Sequence, residues 1–300
     1  MRANRRGTPL WLHDKERGQA LLVRGMAWLS LSLGRPLTRP MVYLIAGYFL
    51  ITSVKARRAS QSYLRRILPG TNLIDRYRHF MTFATTIHDR LYLLNDQFDR
   101  FDLTWHGADL FQHRGGLLFG AHFGSFELLR AVARSPQAPP VSVAMYPDNA
   151  ARLNRILQAI NPAVMLDIIE LGHLDAMLEI RRRVEEGHLV GILADRASAA
   201  DHYLPISFLG SPAPFPSGPF RLATLLRCPV YFMSGVHQGG NRYAIHFSLL
   251  NDFQTSQPGT RDADMCQLVT QYALELERQC RLFPYNWFNF YDFWKAPDSL

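Results

Sequence analysis

The residues best suited to chemistry lie in Gly120–Arg130, GAHFGSFELLR. His122 follows an apolar run, Gly116-Leu117-Leu118-Phe119, that reads as a buried strand, and Glu127 falls five positions later, where a helix should begin. On one continuous helix, residues five apart point about 140° away from each other. The pair can therefore work together only if His122 precedes the helix. Gly124 and Ser125 suit a helix start, with Ser125 as N-cap, and Glu127 then sits in the first turn, where the helix dipole favours a carboxylate. A carboxylate accepting from one imidazole nitrogen fixes the tautomer and raises the basicity of the other nitrogen, which can take a proton from a hydroxyl. Backbone N–H groups at the helix start, around Gly124 and Ser125, could stabilise the oxyanion of an attacked acyl carbonyl. The implied reaction is acyl transfer, with the nucleophile supplied by the substrate. The spacing H-x-x-x-x-[DE] occurs once among 11 histidines and 25 acids, about as often as chance allows. A core histidine bonded at a strand end is the competing reading. What sets this occurrence apart is the order strand, histidine, glycine, helix.

Those side chains need a frame. From residue 115 short apolar runs alternate with helical patterns: strands at 115–121, 141–146, 164–170, 188–194, 229–237 and 243–250, and helices after His122 and at 149–160, 174–187, 219–227 and 262–281. This predicts an α/β fold, a largely parallel sheet flanked by helices. Ligands of such sheets bind at the carboxyl ends of strands. His122 lies at one such end and Asp195 at another. VHQGGNRY, residues 236–243, reads as a hairpin turn, and the stretch 201–219, rich in proline and glycine, as a loop. Residues 55–113 read as mostly helical.

The formal net charge of +8 is unevenly placed: residues 1–66 carry 13 Lys/Arg against 2 acids, and the remainder carries 20 against 23. The basic segment calls for an anionic partner. No nucleic-acid-binding motif accompanies it. Fifteen uncharged residues, PMVYLIAGYFLITSV, lie between Arg39 and Lys55. That is short of the roughly 20 needed to span hydrocarbon and suits an interfacial or re-entrant helix. The flanking Arg24, Arg35, Arg39, Lys55, Arg57, Arg58, Arg65 and Arg66 would add attraction to anionic lipid. Helices over 20–54, broken at the proline of RPLTR, are expected to present an apolar face, with Arg57, Arg58, Arg65 and Arg66 at headgroup level. A buried core helix is the alternative. Residues 1–68 are thus read as a membrane-associating helical segment and 69–300 as the catalytic domain. The same basic helix would border the pocket mouth if an acidic carrier protein docks there.

Other chemistries find little support. There is no G-x-S-x-G elbow, no G-x-x-x-x-G-K-[ST] phosphate loop and no H-E-x-x-H or clustered Cys/His. Three cysteines, Cys228, Cys266 and Cys280, match no zinc spacing and make no disulfide framework, so a reducing compartment is expected.

On these residues the chain resembles the lysophospholipid acyltransferase superfamily, in the branch holding the lauroyl- and myristoyl-transferring enzymes of bacterial lipid A synthesis. His122 and Glu127 match that family's dyad, residues about 20–54 its membrane anchor, and EEGHLVGILADRAS a second block, with Asp195-Arg196 where Asp-Gln is usual. FLGSPAPFPSGPFRLATLLRCPVYF, residues 208–232, is similar to the family's loop, helix and strand. Where those enzymes carry an arginine, this chain has Gly172 and His173. Its ending, PYNWFNFYDFWK, and its WLHDKERG near the start are most similar to a sub-branch encoded with aryl-polyene pathways.

The resemblance implies His122 as general base and Glu127 as its orienter. It implies an acyl donor on acyl carrier protein or coenzyme A, a lipid, glycolipid or polyene-lipid acceptor, an anionic membrane, and no cofactor or metal. Gly124, Ser125, Asp195, Arg196 and Arg221 are expected near the substrate, and the cytoplasmic face of a bacterial inner membrane is the expected location. A non-catalytic membrane-bound assembly factor that kept the fold and an acyl thioesterase are the rival readings.

Overall fold

The computed structural model describes residues 28–111, 115–132, 139–160, 167–196, 202–254 and 259–295. After a helical stretch at 28–33 come α1 (Arg35–Thr52), α2 (Val54–Ile67) and α3 (Leu73–Leu94). A seven-stranded sheet follows, in the spatial order β1 (Asp102–His106), β9 (Arg242–Asn251), β8 (Val230–His237), β2 (Gly116–Gly120), β5 (Leu189–Leu193), β3 (Val141–Met145), β4 (Ile168–Glu170). Every pairing in it is parallel except β8 with β9. Around it lie α4 (Leu129–Val132), α5 (Pro147–Ile160), α6 (Leu174–Glu185), α7 (Gly218–Leu226) and α8 (Arg261–Leu282). The α/β alternation read from residue 115 onward is this sheet with its helices, and Gly239 and Gly240 turn the β8–β9 hairpin at positive φ.

Three strands escaped that reading. β1 lies within the stretch read as helical; it is an edge strand with most of its side chains exposed, and its alternation, Leu103 and Trp105 alone, is too short to mark a strand. The expected loop at 201–219 holds a two-stranded antiparallel hairpin, β6 (Tyr203–Phe208) and β7 (Ser211–Pro216). Its prolines 205, 212, 214 and 216 disguise it, and prolines are tolerated because a two-stranded ribbon has only edges.

β2 is central and buried throughout. It sends Leu117 and Phe119 into one core layer and Leu118 into the other, the period-2 alternation of a pleated strand. On the first face, Phe119 meets Phe220 of α7 and Tyr272 of α8 edge to face. Full burial of each such side chain contributes about 1.5–3 kcal/mol.

α1 starts at Arg35, with Pro36 in its first turn, and continues through Pro40. The expected break at RPLTR therefore falls one residue before Arg35, at Gly34, whose φ is 81°. Pro36 loses nothing, since first-turn amides have no intrahelical partner. Buried Arg35 donates to Asp89 of α3 from Nε and Nη2, at 2.6 and 2.9 Å, and to the Gly240 carbonyl. The Tyr243 hydroxyl also donates to Asp89, at 2.9 Å. Burial opposes the charge on Asp89, and its His88 and Arg35 partners overcome it and hold the carboxyl below its usual range. The buried ion pair thus joins α1 to α3, and its hydrogen bonds to Gly240 and Tyr243 join both helices to the β8–β9 hairpin.

α1 buries Thr38, Val42, Ala46 and Leu50 while Leu37, Leu44, Tyr48 and Ile51 stand exposed on the other side, Leu44 at 76% and Ile51 at 74%. Exposed Val54, Leu73 and Ile74 follow on α2 and α3. Among the described residues no single helix is long and apolar enough to cross a membrane; α1 and α2 pass that test only as a pair bent by 95°. Residues 20–27 of the expected anchor lie outside the described residues. Two arginines expected at headgroup level are occupied within the fold. Arg57 donates to the Leu50 and Ile51 carbonyls at the end of α1. Arg66 lies 4.0 Å over the Trp294 ring and donates to Ser211. Lys55, Arg58 and Arg65 are exposed.

Candidate active site

The register of β2 on β5 decides what faces His122. Gly116 pairs with Leu189 and Gly120 with Leu193, a constant offset of 73 positions, and His122 and Asp195 are also 73 apart. Each lies two residues past the end of its strand, so the parallel pairing delivers them to each other at the carboxyl edge of the sheet. His122 Nδ1 and Asp195 Oδ1 are 2.8 Å apart, and the His122 backbone N–H donates to Oδ2 at 3.0 Å. Trp287 Nε1 donates to the same Oδ2 at 3.2 Å. Asp195 is buried. Burial alone would raise its carboxyl; the charge and hydrogen bond of the adjoining His122 outweigh that and bring it down to about 2. An ionised carboxylate must be met by the N–H on Nδ1, which leaves Nε2 as the basic nitrogen. The His122 side chain is 34% exposed, so that nitrogen can be approached.

The expected His122–Glu127 hydrogen bond is not the one the structure forms. After Gly124 the chain makes a 3-10 turn, Phe126–Leu128, before α4, and Ser125 is no side-chain cap. Ser125 Oγ instead donates to Glu127 at 3.0 Å, and Glu127 forms an ion pair with Arg90 of α3. That contact is ionic, without hydrogen-bond alignment at the Arg90 Nε. The physical reason lies in the turn. The tighter winding carries Glu127 toward α3, where a cation waits, while the inter-strand register has already filled the Nδ1 side of His122.

The amides of Gly124 and Ser125, expected to face an attacked carbonyl, are also engaged. Gly124 N–H donates to the Asn286 carbonyl and Ser125 N–H to the Gly235 carbonyl, each at 2.8 Å. Gly124 has φ 61°, and a Cβ there would stand 1.8 Å from the Gly235 oxygen. The role of this glycine is close passage between the His122 loop and β8.

Arg196 is exposed beside Asp195. Its Nη2 donates to the Phe288 carbonyl at 2.9 Å, and its guanidinium lies 5.3 Å from the Tyr291 ring centroid. Arg221 is exposed on α7, and no contact ties it to His122 or Asp195. Among the described residues no cluster of three or more His, Cys, Asp or Glu could hold a metal ion.

The C-terminal aromatic segment is the part of the site that motif reading missed. Phe288 N–H donates to the His122 carbonyl at 2.8 Å, Phe123 bridges Trp287, and the Asn286 side chain binds both backbone groups of His237. The available signal was compositional: six aromatics in PYNWFNFYDF, more than a closing loop needs.

The family model described as bacterial lipid A biosynthesis acyltransferase matches residues 19–296. No curated protein matches the chain. Among solved structures, the chain is similar to the 1-acyl-sn-glycerophosphate (LPA) acyltransferase PlsC from Thermotoga maritima. Identity is 12%, coverage is 80% of this chain and 98% of that one, and the TM-score is 0.35. A superposition that loose carries no argument.

Proposed function

The chain belongs to the bacterial lipid A biosynthesis acyltransferase family and is an acyltransferase; on that premise we propose that His122 is its general base, with Asp195 as the carboxylate on Nδ1. The donor in this reading is a thioester of acyl carrier protein or coenzyme A. The acceptor is a hydroxyl or amine of a lipid, glycolipid or polyene-lipid. The place of work is the cytoplasmic face of a bacterial inner membrane.

The chemistry follows from one open nitrogen. His122 Nε2 takes the proton from the acceptor O–H or N–H as that atom attacks the thioester carbonyl. The tetrahedral intermediate collapses, the C–S bond breaks, and the leaving thiolate recovers the proton from the imidazolium. Asp195 keeps the Nδ1–H in place and stabilises the transient cation. Arg196, exposed and next to Asp195 in the chain, is suited to a phosphate or oxyanion of a substrate.

The observation that carries this reading is the pairing of a buried, ionised Asp195 with a partly exposed His122 at a strand's carboxyl end. The exposed apolar face of α1 supports work at a membrane surface. Exposed Lys55, Arg58 and Arg65 support docking of an acidic carrier or anionic lipid.

The test is transfer of a labelled palmitoyl group from coenzyme A to a bacterial lipid extract in detergent, with His122→Gln as control. A labelled lipid product that disappears in the variant supports the reading. Thiol release with free fatty acid as the sole product identifies a thioesterase instead. Full activity in the variant removes His122 as base.

A further inference from the structure

We infer that Trp287 is a positioning residue for the reaction and that the N-terminal helices complete the active site through it. The inference rests on the reading of His122 as base and adds the group that holds its carboxylate.

A carboxylate orients an imidazole only if its own plane is held. Oδ1 of Asp195 is taken by His122 Nδ1. Oδ2 has two donors: the His122 backbone N–H, at 3.0 Å, and the Trp287 indole N–H, at 3.2 Å. The first belongs to the residue being oriented, so Trp287 is the donor from outside the pair. Its indole sits fully buried among aromatic rings, with centroids of Tyr63 at 4.9 Å, Phe208 at 5.2 Å and Phe293 at 4.8 Å. In that apolar box Asp195 is the partner that satisfies the N–H, and an indole N–H left without one would be disfavoured.

Trp287 is in turn fixed from the N-terminal helices. Its carbonyl accepts from His79 Nε2 of α3 at 2.8 Å. A carbonyl only accepts, so Nε2 bears the hydrogen and His79 Nδ1 accepts from the Ser60 hydroxyl of α2, at 2.9 Å. His79 and Ser60 are completely buried. The residues on either side of Trp287 grip the His122 loop, through Gly124 N–H to the Asn286 carbonyl and Phe288 N–H to the His122 carbonyl. An unbroken series of hydrogen bonds and one covalent segment thus runs Ser60, His79, Trp287, Asp195, His122. The helices that carry the apolar face also set the geometry of the base.

The test replaces Trp287 in the full-length protein with β-(3-benzothienyl)alanine, which keeps the indole outline and lacks the N–H, and separately with Phe. The first readout is the tautomer of His122, from 15N spectra of histidine-labelled protein in detergent micelles, with His122→Gln for assignment. Native protein should show the Nδ1–H form; the benzothienyl variant should show a mixture. The second readout is steady-state turnover of palmitoyl–coenzyme A. There kcat should fall about tenfold with KM little changed, the size expected for one lost hydrogen bond to a charged group. His79→Ala should act in the same direction, and its combination with the benzothienyl replacement should lose less than the product of the two, as coupled residues do.

A benzothienyl variant with the native tautomer and native kcat overturns the inference. Loss of the fold by Trp287→Phe does not decide it, because the benzothienyl protein preserves the packing. Where palmitoyl–coenzyme A is not turned over by the native protein, the tautomer alone decides. If His122→Gln keeps full activity, the general-base reading fails; if His122→Gln is dead and the Trp287 replacements are silent, this inference alone fails.

Discussion

An imidazole with one nitrogen held by a buried carboxylate is a directed base, and two acids compete for that office here by sequence position. Asp195 touches His122 and Glu127 does not. Asp195→Asn should therefore lower kcat by on the order of 10²–10⁴, because an amide can hold the wrong tautomer of the imidazole. Glu127→Gln should cost less than about tenfold, since it weakens an ion pair with Arg90 that does not reach the base. Kinetics of the two variants with one donor check the order; the reverse order would return the orienting role to Glu127. Acid sensitivity belongs to this scale as well. The folded-state carboxyl of Asp195 is depressed, from 3.8 to about 2. Its contribution to stability is therefore full above 3.8 and lost as pH falls toward about 2. His79 is a base depressed by burial, from 6.5 to about 4. The unfolded chain binds that proton first, so stability should fall as pH drops from 6.5 to about 4. Urea midpoints across pH 4–7 for native protein and His79→Gln should show the native slope reduced in the variant.

At the scale of elements, α1 serves two faces. One packs on α3 through Ala46 and Leu50, and the other presents Leu44, Tyr48 and Ile51 outward. Each exposed side chain that enters an apolar phase gains about 1.5–3 kcal/mol. Leu44→Asp with Ile51→Asp should weaken binding to phosphatidylglycerol vesicles by about tenfold or more while leaving the melting temperature in detergent unchanged, since neither side chain packs inside. Equal vesicle binding by the variant would move the membrane contact elsewhere. α2 divides its charges. Arg57 and Arg66 are held within the fold, so the carrier docking proposed above would fall to Lys55, Arg58 and Arg65. Arg58→Glu with Arg65→Glu should raise KM for acyl carrier protein and scarcely alter turnover of an acyl–coenzyme A donor. Salt should weaken the carrier reaction of the native protein, because exposed charges are screened within about 10 Å at 0.1 M. Equal loss with both donors would assign these arginines to another task.

At the scale of the molecule, the N-terminal helices cannot be treated as a detachable anchor. Cutting the chain after residue 54 would remove the guanidinium that pairs with Asp89 and uncover the face of α3 on which Ala46 and Leu50 pack. The truncated protein should unfold or aggregate, as circular dichroism and gel filtration would show, before any release from the membrane could be read. Arg35→Met alone should lower the melting temperature markedly, whereas Arg35→Met with Asp89→Leu should recover much of it, because the uncompensated charge is gone.

What the sequence determined by itself was local. Period-2 and helical patterns marked the βα alternation, and the turn residues after Phe119 placed a histidine at a strand end, because these signals act over a few neighbours. His122, and Asp195 at a second strand end, were legible for that reason. Edge strand β1 and the proline-rich β6–β7 hairpin were not, since the alternation of β1 is only Leu103 and Trp105 and that of the hairpin is interrupted by prolines, which read as loop. The partner of His122 was decided by tertiary structure alone. The Nδ1 contact depends on β2 lying beside β5 in a parallel register 73 residues apart, and no short-range pattern encodes which strands become neighbours. The same holds for Trp287, which reaches the site 165 positions after His122 because α8 and the closing aromatic segment fold back across the sheet edge. Nearness in the chain favoured Glu127; nearness in space, set by strand order and by packing of distant apolar surfaces, chose Asp195.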